Sequence, residues 1–167
     1  MLAQTLAFGA PLAQARAVVL LAHGRGGSAS DMRGLALSLE AAGVRYVLPQ
    51  APGDSWYPLG FLSRLADNEP KLSRSLDAYA ALIDELLAAG VAAARLVLAG
   101  FSQGACLTAE TAARHPRRYG GVVLFTGGVI GPPDTVWPVS AGLAGTPVLI
   151  GASKDRKSTR LNSSHRH

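Results

Sequence analysis

Short apolar runs alternate along the chain with segments of helical periodicity. Residues 17–22 read Ala-Val-Val-Leu-Leu-Ala, a continuous apolar run that is typical of a strand buried on both faces. Residues 4–8 predict a short edge strand. Further strands are predicted at residues 45–48, 95–99, 121–125 and 147–150. Because helical segments separate these strands, the pattern predicts an α/β domain built on a parallel sheet.

Three helices are predicted between the strands, at about residues 30–42, at 71–89 and at about 103–114. The first has Ser28 and Ser30 as candidate N-caps, and Gly43 follows its end. Its apolar face is expected to hold Met32, Leu35 and Leu39. The second has the clearest periodicity, with apolar residues at helical spacing at Leu72, Leu76, Tyr79, Ile83 and Leu86.

Residues 49–70 form a long segment that is rich in proline and glycine. Pro49 is expected to end the strand that precedes it. The segment carries the aromatic residues Trp56, Tyr57 and Phe61. Loops of this length in a compact domain tend to be functional, so we expect this one to contribute to a site.

Composition and charge indicate an ordinary globular domain. The chain has 167 residues, of which 49% are apolar and 16% charged, which suffices for one domain with a sizeable core. The formal net charge is +5, but residues 155–167 hold four basic side chains against one acidic side chain, which leaves +2 for residues 1–154. This distribution argues against a nucleic-acid-binding surface, which needs a clustered basic face.

Cys106 is the only cysteine of the sequence, so no intrachain disulfide can form. No apolar run approaches the roughly 18–20 residues of a membrane span. Residues 1–9 lack the basic start of a secretory signal. These features predict a cytoplasmic protein without a membrane span, and they leave a homodimer open.

The pattern Gly-x-Ser-x-Gly occurs at residues 100–104, with Ser102 at its centre. A predicted strand precedes it and a predicted helix follows, which is the context of a nucleophilic serine on a tight turn. Glycines on both sides allow the strand and the helix to approach closely. The N-terminus of the helix also favours negative charge there. The alternative interpretation is a helix N-cap serine between packing glycines.

Four segments together resemble the phospholipase/carboxylesterase family, which includes acyl-protein thioesterases. They are His-Gly-Arg-Gly at 23–26, Pro-Gln-Ala-Pro at 49–52, Trp-Tyr at 56–57 and Gly-Phe-Ser-Gln-Gly-Ala at 100–105. The resemblance covers about residues 17–154 and implies the α/β-hydrolase fold, a mostly parallel sheet with flanking helices. It also implies a serine esterase that acts on small carboxylic esters or thioesters and needs no cofactor or metal.

The resemblance implies roles for particular residues. Ser102 is the expected nucleophile. In this fold, a loop after the first buried strand supplies one donor of the oxyanion hole, and the residue after the serine supplies the other. This points to the backbone N–H groups of Arg25 and Gln103. The loop around Trp56 and Tyr57 is expected to line the acyl pocket, with core packing of both rings as the alternative.

The end of the sequence departs from the family pattern. The acid and the histidine of a serine triad follow the serine in this fold, yet residues 152–167 show no apolar period. Residues 155–165 read DRKSTRLNSSH, which matches a translated sequencing adapter. We therefore expect residues 1–154 to be a partial α/β-hydrolase domain, incomplete at its C-terminus, and residues 155–167 to be a non-native tail.

The candidates for the remaining triad members are weak. Asp155 stands near the expected position of the acid but falls within the adapter-like segment, and His165 and His167 lie in the polar tail. His23 and His115 are expected to be structural. Two alternatives therefore stay open: an inactive hydrolase-fold fragment, and a peptidase or dienelactone-hydrolase-like enzyme on the same fold.

Overall fold

The computed structural model describes residues 4–39, 41–133 and 141–151. The predictions for Asp155, His165 and His167, and for the tail that contains them, lie outside these residues. Within them, the chain forms a six-stranded sheet with helices on both faces. This is the α/β architecture that the alternation of strands and helices predicts.

The sheet forms the centre of the domain. Its strands are β1 (Gln4–Gly9), β2 (Ala17–Ala22), β3 (Val44–Gln50), β4 (Leu96–Phe101), β5 (Gly121–Phe125) and β6 (Val148–Gly151). They lie in the order β1-β3-β2-β4-β5-β6. β1 pairs antiparallel with β3, and the other neighbours are parallel. The central strands carry the most apolar runs because helices cover both of their faces.

Three helices cover the sheet: α1 (Ala29–Ser38), α2 (Lys71–Ala88) and α3 (Gln103–Arg114). Side chains of β2 and β4 alternate between the two faces. Leu20 and Leu98 pack with the buried residues of α2 and α3, whereas Leu21 and Ala99 pack with those of α1. One hydrophobic core therefore lies on each side of the sheet.

The predicted helices form with small shifts in their bounds. Ser28, rather than Ser30, caps α1: its Oγ accepts from the Asp31 N–H at 3.1 Å, and Asp31 Oδ2 accepts from the Ser28 N–H at 3.0 Å. α1 ends at Ser38, earlier than predicted, so Leu39 is the C-cap rather than part of the apolar face, and it is 51% exposed. All the apolar residues predicted for the α2 face are buried.

The prediction that Pro49 ends its strand is wrong, because β3 continues to Gln50. The pairing of β3 with β2 ends at Val47, whereas its pairing with β1 extends to the end of the strand. Pro49 therefore lies where β3 is paired with β1 but no longer with β2. A proline, which has no N–H to donate, is tolerated in such an edge-like position because β2 requires no hydrogen bond from it.

The loops that follow β2 and β4 meet at one edge of the sheet. The two strands are paired in parallel register, with Ala22 opposite Gly100. Their carboxyl ends therefore bring the glycine-rich loop at 23–27 beside the turn that contains Ser102. Ligands of open α/β sheets bind outside the carboxyl ends of the strands, so this edge is where a site is expected.

Candidate active site

Ser102 lies on a tight turn between β4 and α3. Its backbone has φ +55° and ψ −115°, a sparsely populated conformation that costs a non-glycine residue of order 1–3 kcal/mol. Two hydrogen bonds hold the turn. The Ser102 N–H donates to the Phe125 carbonyl at 2.8 Å, and the Ser102 carbonyl accepts from the Cys106 N–H at 3.1 Å. The strain is thus maintained by β5 and α3, while the serine stays partly exposed.

Three glycines allow the backbone to approach closely at this turn. A Cβ at Gly100 would stand 2.2 Å from the Gly104 carbonyl oxygen, and one at Gly104 would stand 2.2 Å from the Ala22 carbonyl oxygen. Any side chain at either position would collide with backbone. A Cβ at Gly24 would lie 3.3 Å from the Ser102 Cβ. The glycine-rich loop is therefore packed directly against the serine.

His23 is fully buried and supports the glycine-rich loop. Its Nε2 accepts from the Ala51 N–H at 3.0 Å, so its Nδ1 carries the proton and donates to the Gly24 carbonyl at 2.7 Å. Its ring centre lies 5.0 Å from that of Trp56, whose Nε1–H donates to the His23 carbonyl at 2.8 Å. Both ring nitrogens are engaged, which supports the structural role expected for this histidine.

The side chains of Arg25 and Gln103 hold the segment 55–59, an arrangement that the sequence does not reveal. The guanidinium donates to the carbonyls of residues 57–59 at 2.5–2.9 Å. The Gln103 carboxamide oxygen accepts from the Trp56 N–H at 2.8 Å, and Gln103 Nε2 donates to the Tyr57 carbonyl at 2.7 Å. The only sequence signal for these contacts is a long polar side chain within each of two glycine-rich motifs.

A cavity of about 210 Å³ opens beside Ser102. Its lining residues are Arg25, Tyr57, Gly60, Phe61, Ser102, Gln103, Cys106 and Thr126. The fold therefore brings the predicted nucleophile, both predicted oxyanion residues and Tyr57 to one cavity. Trp56 is not among the lining residues. It is fully buried under the loop, which is the core-packing alternative that the sequence left open.

Residues 5–151 match the family described as Phospholipase/Carboxylesterase. The chain belongs to this family. Among solved structures, the phospholipase/carboxylesterase from Dyadobacter fermentans matches it with a TM-score of 0.77 at 30% identity, over 97% of this chain and 95% of that chain. The α/β-hydrolase fold and the family resemblance predicted from the sequence are both confirmed.

Curated relatives agree with this membership. Acyl-protein thioesterase 1 of Eremothecium gossypii is 31% identical over 154 residues, which cover 81% of this chain and 64% of the relative. Acyl-protein thioesterase 1 of Aspergillus fumigatus is 32% identical over 129 residues, covering 64% of this chain and 52% of the relative. The chain spans between 38% and 64% of the length of four curated relatives that it matches.

In this carboxylesterase-family chain, polar side chains continue along α3 from Ser102 to Cys106 and Glu110, one helical turn apart. Burial raises the pKa of the Cys106 thiol. The pKa of Tyr57 is raised above its usual range, mainly by burial and to a smaller extent by the neighbouring Cys106 thiol. Glu110 Oε1 accepts from Arg114 at 3.0 Å. Within the described residues, Glu110 Oε2 has no hydrogen-bond partner, and the Tyr57 hydroxyl has at most the weak Cys106 thiol. The inner part of the cavity thus carries neutral side chains from Tyr57 and Cys106.

The described histidines are placed for other roles than base catalysis. His23 is engaged as above, and His115 caps the far end of α3, a helix of 12 residues and therefore about 18 Å long. Across residues 4–39, 41–133 and 141–151, no group of three or more His, Cys, Asp or Glu side chains is arranged to hold a metal ion. No helix in those ranges combines the length and the apolar character that crossing a bilayer requires.

Proposed function

We propose that the protein is a serine carboxylic-ester hydrolase that works through an acyl-enzyme intermediate. Ser102 Oγ attacks the acyl carbon of an ester or thioester, and the alcohol or thiol leaves with a proton. Water then attacks the acyl-enzyme, which releases the carboxylic acid and restores the serine hydroxyl. Membership of the family supports an esterase-type hydrolase, and the geometry of the site supports the serine mechanism.

The observation that carries the proposal is the strained backbone of Ser102 at the cavity. Such strain persists only where the surrounding structure enforces it, and it concentrates at active sites. A serine that merely caps a helix has an extended backbone, and its Oγ accepts a hydrogen bond from the first turn. Ser102 has φ +55° and makes no such cap bond. The geometry therefore favours a nucleophile over an N-cap.

Two backbone N–H groups, those of Arg25 and Gln103, are proposed to stabilise the oxyanion of the tetrahedral intermediate. Gln103 is the first residue of α3, so its N–H has no partner inside the helix and lies at the positive end of the helix dipole. Arg25 follows Gly24, which packs against the serine. Removal of one oxyanion donor typically slows an enzyme by about 100- to 1,000-fold, so this pair is expected to supply a large part of the catalysis.

We propose that the general base and its acid come from the protein beyond the described residues. A serine hydroxyl is a weak nucleophile until a neighbouring base accepts its proton. In this fold both partners follow the serine, and the curated relatives extend beyond the part that this chain matches. Asp155 stays a candidate for the acid. The substrate is proposed to be a small ester or thioester whose acyl group lies against Tyr57.

Labelling of the full-length protein with a fluorophosphonate probe tests the nucleophile. Ser102 is expected to be labelled, as located by mass spectrometry, and Ser102→Ala is expected to remain folded and unlabelled. Ser30→Ala is the matched control, because Ser30 is exposed in α1 and does not line the cavity. A wild-type protein that is folded but unlabelled, or label at another serine, would overturn the proposal.

The alternative of an inactive fragment is tested on the 167-residue chain itself. Both ring nitrogens of His23 are bonded, and His115 lies at the far end of α3. We therefore expect this chain to hydrolyse p-nitrophenyl esters negligibly, whereas a protein that includes the proposed base and acid is expected to turn them over. Turnover by the shorter chain that matches the longer protein and disappears in Ser102→Ala would contradict this expectation. Rates on esters of increasing acyl length, compared with peptide and lactone substrates, separate the esterase from a peptidase or a dienelactone-hydrolase-like enzyme.

A further inference from the structure

One backbone carbonyl connects the two residues that are proposed to form the oxyanion hole. The Tyr57 carbonyl accepts a hydrogen bond from Gln103 Nε2 at 2.7 Å and another from Arg25 Nη1 at 2.8 Å. Arg25 follows β2 and Gln103 follows β4, so the two residues are far apart along the chain. The side chains of both residues therefore reach the same atom from different loops.

The Ser55 hydroxyl strengthens this connection. Ser55 Oγ lies 3.2 Å from Arg25 Nη1 and 3.3 Å from Gln103 Nε2, and it donates to the Tyr57 carbonyl at 2.8 Å. Trp56, between them, donates its N–H to Gln103 Oε1 at 2.8 Å. The Ser55 hydroxyl and the Tyr57 carbonyl thus contact both side chains, and the Trp56 N–H adds a further bond to Gln103.

The segment that receives these bonds is itself anchored in the core. Trp56 is fully buried, its indole donates to the His23 carbonyl at 2.8 Å, and its own carbonyl accepts from Ser75 Oγ of α2 at 2.6 Å. A segment held at both its side chain and its backbone makes a rigid support. By contrast, the loop that carries Arg25 is rich in glycine, which allows it several backbone conformations.

We propose that residues 55–57 form a brace that sets the spacing of the two oxyanion N–H groups, with the side chains of Arg25, Gln103 and Ser55 as positioning groups. This inference rests on the proposed function, because it concerns the same oxyanion hole. Donors of an oxyanion hole stabilise the transition state only when they are held in place before the reaction. The brace holds them through side chains, while the donors themselves are backbone groups.

The brace predicts a specific kinetic signature in the full-length enzyme. Gln103→Ala and Arg25→Lys keep the backbone N–H groups but remove bonds to the brace; lysine cannot reproduce the fork of a guanidinium. Each variant is expected to lower kcat by about 10- to 100-fold, because small misplacements of catalytic groups have effects of this size. KM should change by less than about threefold, since the loss affects the transition state rather than ground-state binding.

The affinity for a trifluoromethyl ketone, which forms a hemiketal with the serine, is a second measurement. It would not change if the three side chains only stabilised the fold. The affinity for the ketone should fall by the same factor as kcat, because its oxyanion occupies the same N–H groups. Ser55→Ala should show a weaker form of the same pattern, and Ser55→Thr, which keeps the hydroxyl, should restore it. The effects of Arg25→Lys and Gln103→Ala should combine to less than their product, because both act through one carbonyl.

All rates are normalised to the fraction of enzyme that a fluorophosphonate probe labels, and Arg64→Lys, an exposed arginine outside the cavity lining, is the matched control. If wild-type enzyme is labelled and turns over esters but folded Ser55→Ala and Arg25→Lys keep wild-type kcat and ketone affinity, the brace is refuted and the esterase proposal stands. Raised KM with unchanged kcat also refutes it. A wild-type protein that is not labelled refutes the proposed function itself. Should Gln103→Ala fail to fold, the Ser55 pair decides the question.

Discussion

Replacing Gly104 by alanine tests whether the serine turn depends on close backbone contact. The added Cβ would lie 2.2 Å from the Ala22 carbonyl oxygen and 2.4 Å from the His23 carbonyl oxygen. Each distance is about 1 Å shorter than an ordinary van der Waals contact. Both neighbours are backbone atoms at the end of β2 and in the loop after it, so neither can rotate away as a side chain would.

Two opposing effects set the size of the change in stability. Alanine is favoured over glycine within a helix by about 0.8–1 kcal/mol. Overpacking usually costs about 1–3 kcal/mol, and more where backbone must move. Because the clash involves two carbonyl groups, we expect its cost to be at the upper end and the net loss of unfolding free energy to be about 2 kcal/mol. For a domain of this size, that loss lowers Tm by about 4–8 °C.

Gly34→Ala supplies a control of the same chemical change with the opposite expected sign. Gly34 lies within α1, and no atom lies within 4 Å of the position of its added Cβ. Alanine there should stabilise the protein by about 0.5–1 kcal/mol. Urea unfolding followed by circular dichroism measures both variants. If Gly104→Ala is as stable as the wild type, or if Gly34→Ala loses as much stability as Gly104→Ala, the argument from backbone contact is wrong.

Further predictions test other contacts, and all but the last use the same unfolding measurements. Tyr57→Phe should leave the unfolding free energy nearly unchanged, because the buried hydroxyl has at most the weak Cys106 thiol as a partner. By contrast, Tyr119→Phe, which removes a 2.6 Å bond to a carbonyl, should lose about 1 kcal/mol. Because burial raises the Tyr57 pKa above its unfolded value of about 10, stability should decline as the pH rises above 10, and Tyr57→Phe should reduce that decline. Ser28→Ala should cost about 1 kcal/mol through loss of the α1 cap, and Ser30→Ala should have little effect; equal effects would contradict the cap assignment. Cys106, with its raised pKa, should resist alkylation at pH 8 in the folded protein and react once urea unfolds it.

The elements of this fold follow from local signals in the sequence. Apolar runs predict β2, β4 and β5 because strands buried on both faces carry no polar alternation. The spacing of Leu72 to Leu86 predicts α2 because one face of the helix packs on the sheet. The glycines around Ser102 predict the strand-to-helix turn, since only residues without a side chain fit there. These signals act over a few residues, so they are visible without knowledge of the fold.

Only the tertiary structure decided which residues meet in space. Pro49 continues β3 because the pairing with β1 extends beyond the point where the pairing with β2 stops, and Leu39 is exposed although it lies at helical spacing from Met32 and Leu35. Tyr57 lines the cavity while Trp56 enters the core, although adjacent aromatic residues look alike in sequence. The bonds from the side chains of Arg25 and Gln103 to residues 55–57 join segments that are about 30 and 50 residues apart. Such contacts depend on the order and pairing of the strands, which no local pattern of apolar and polar residues encodes.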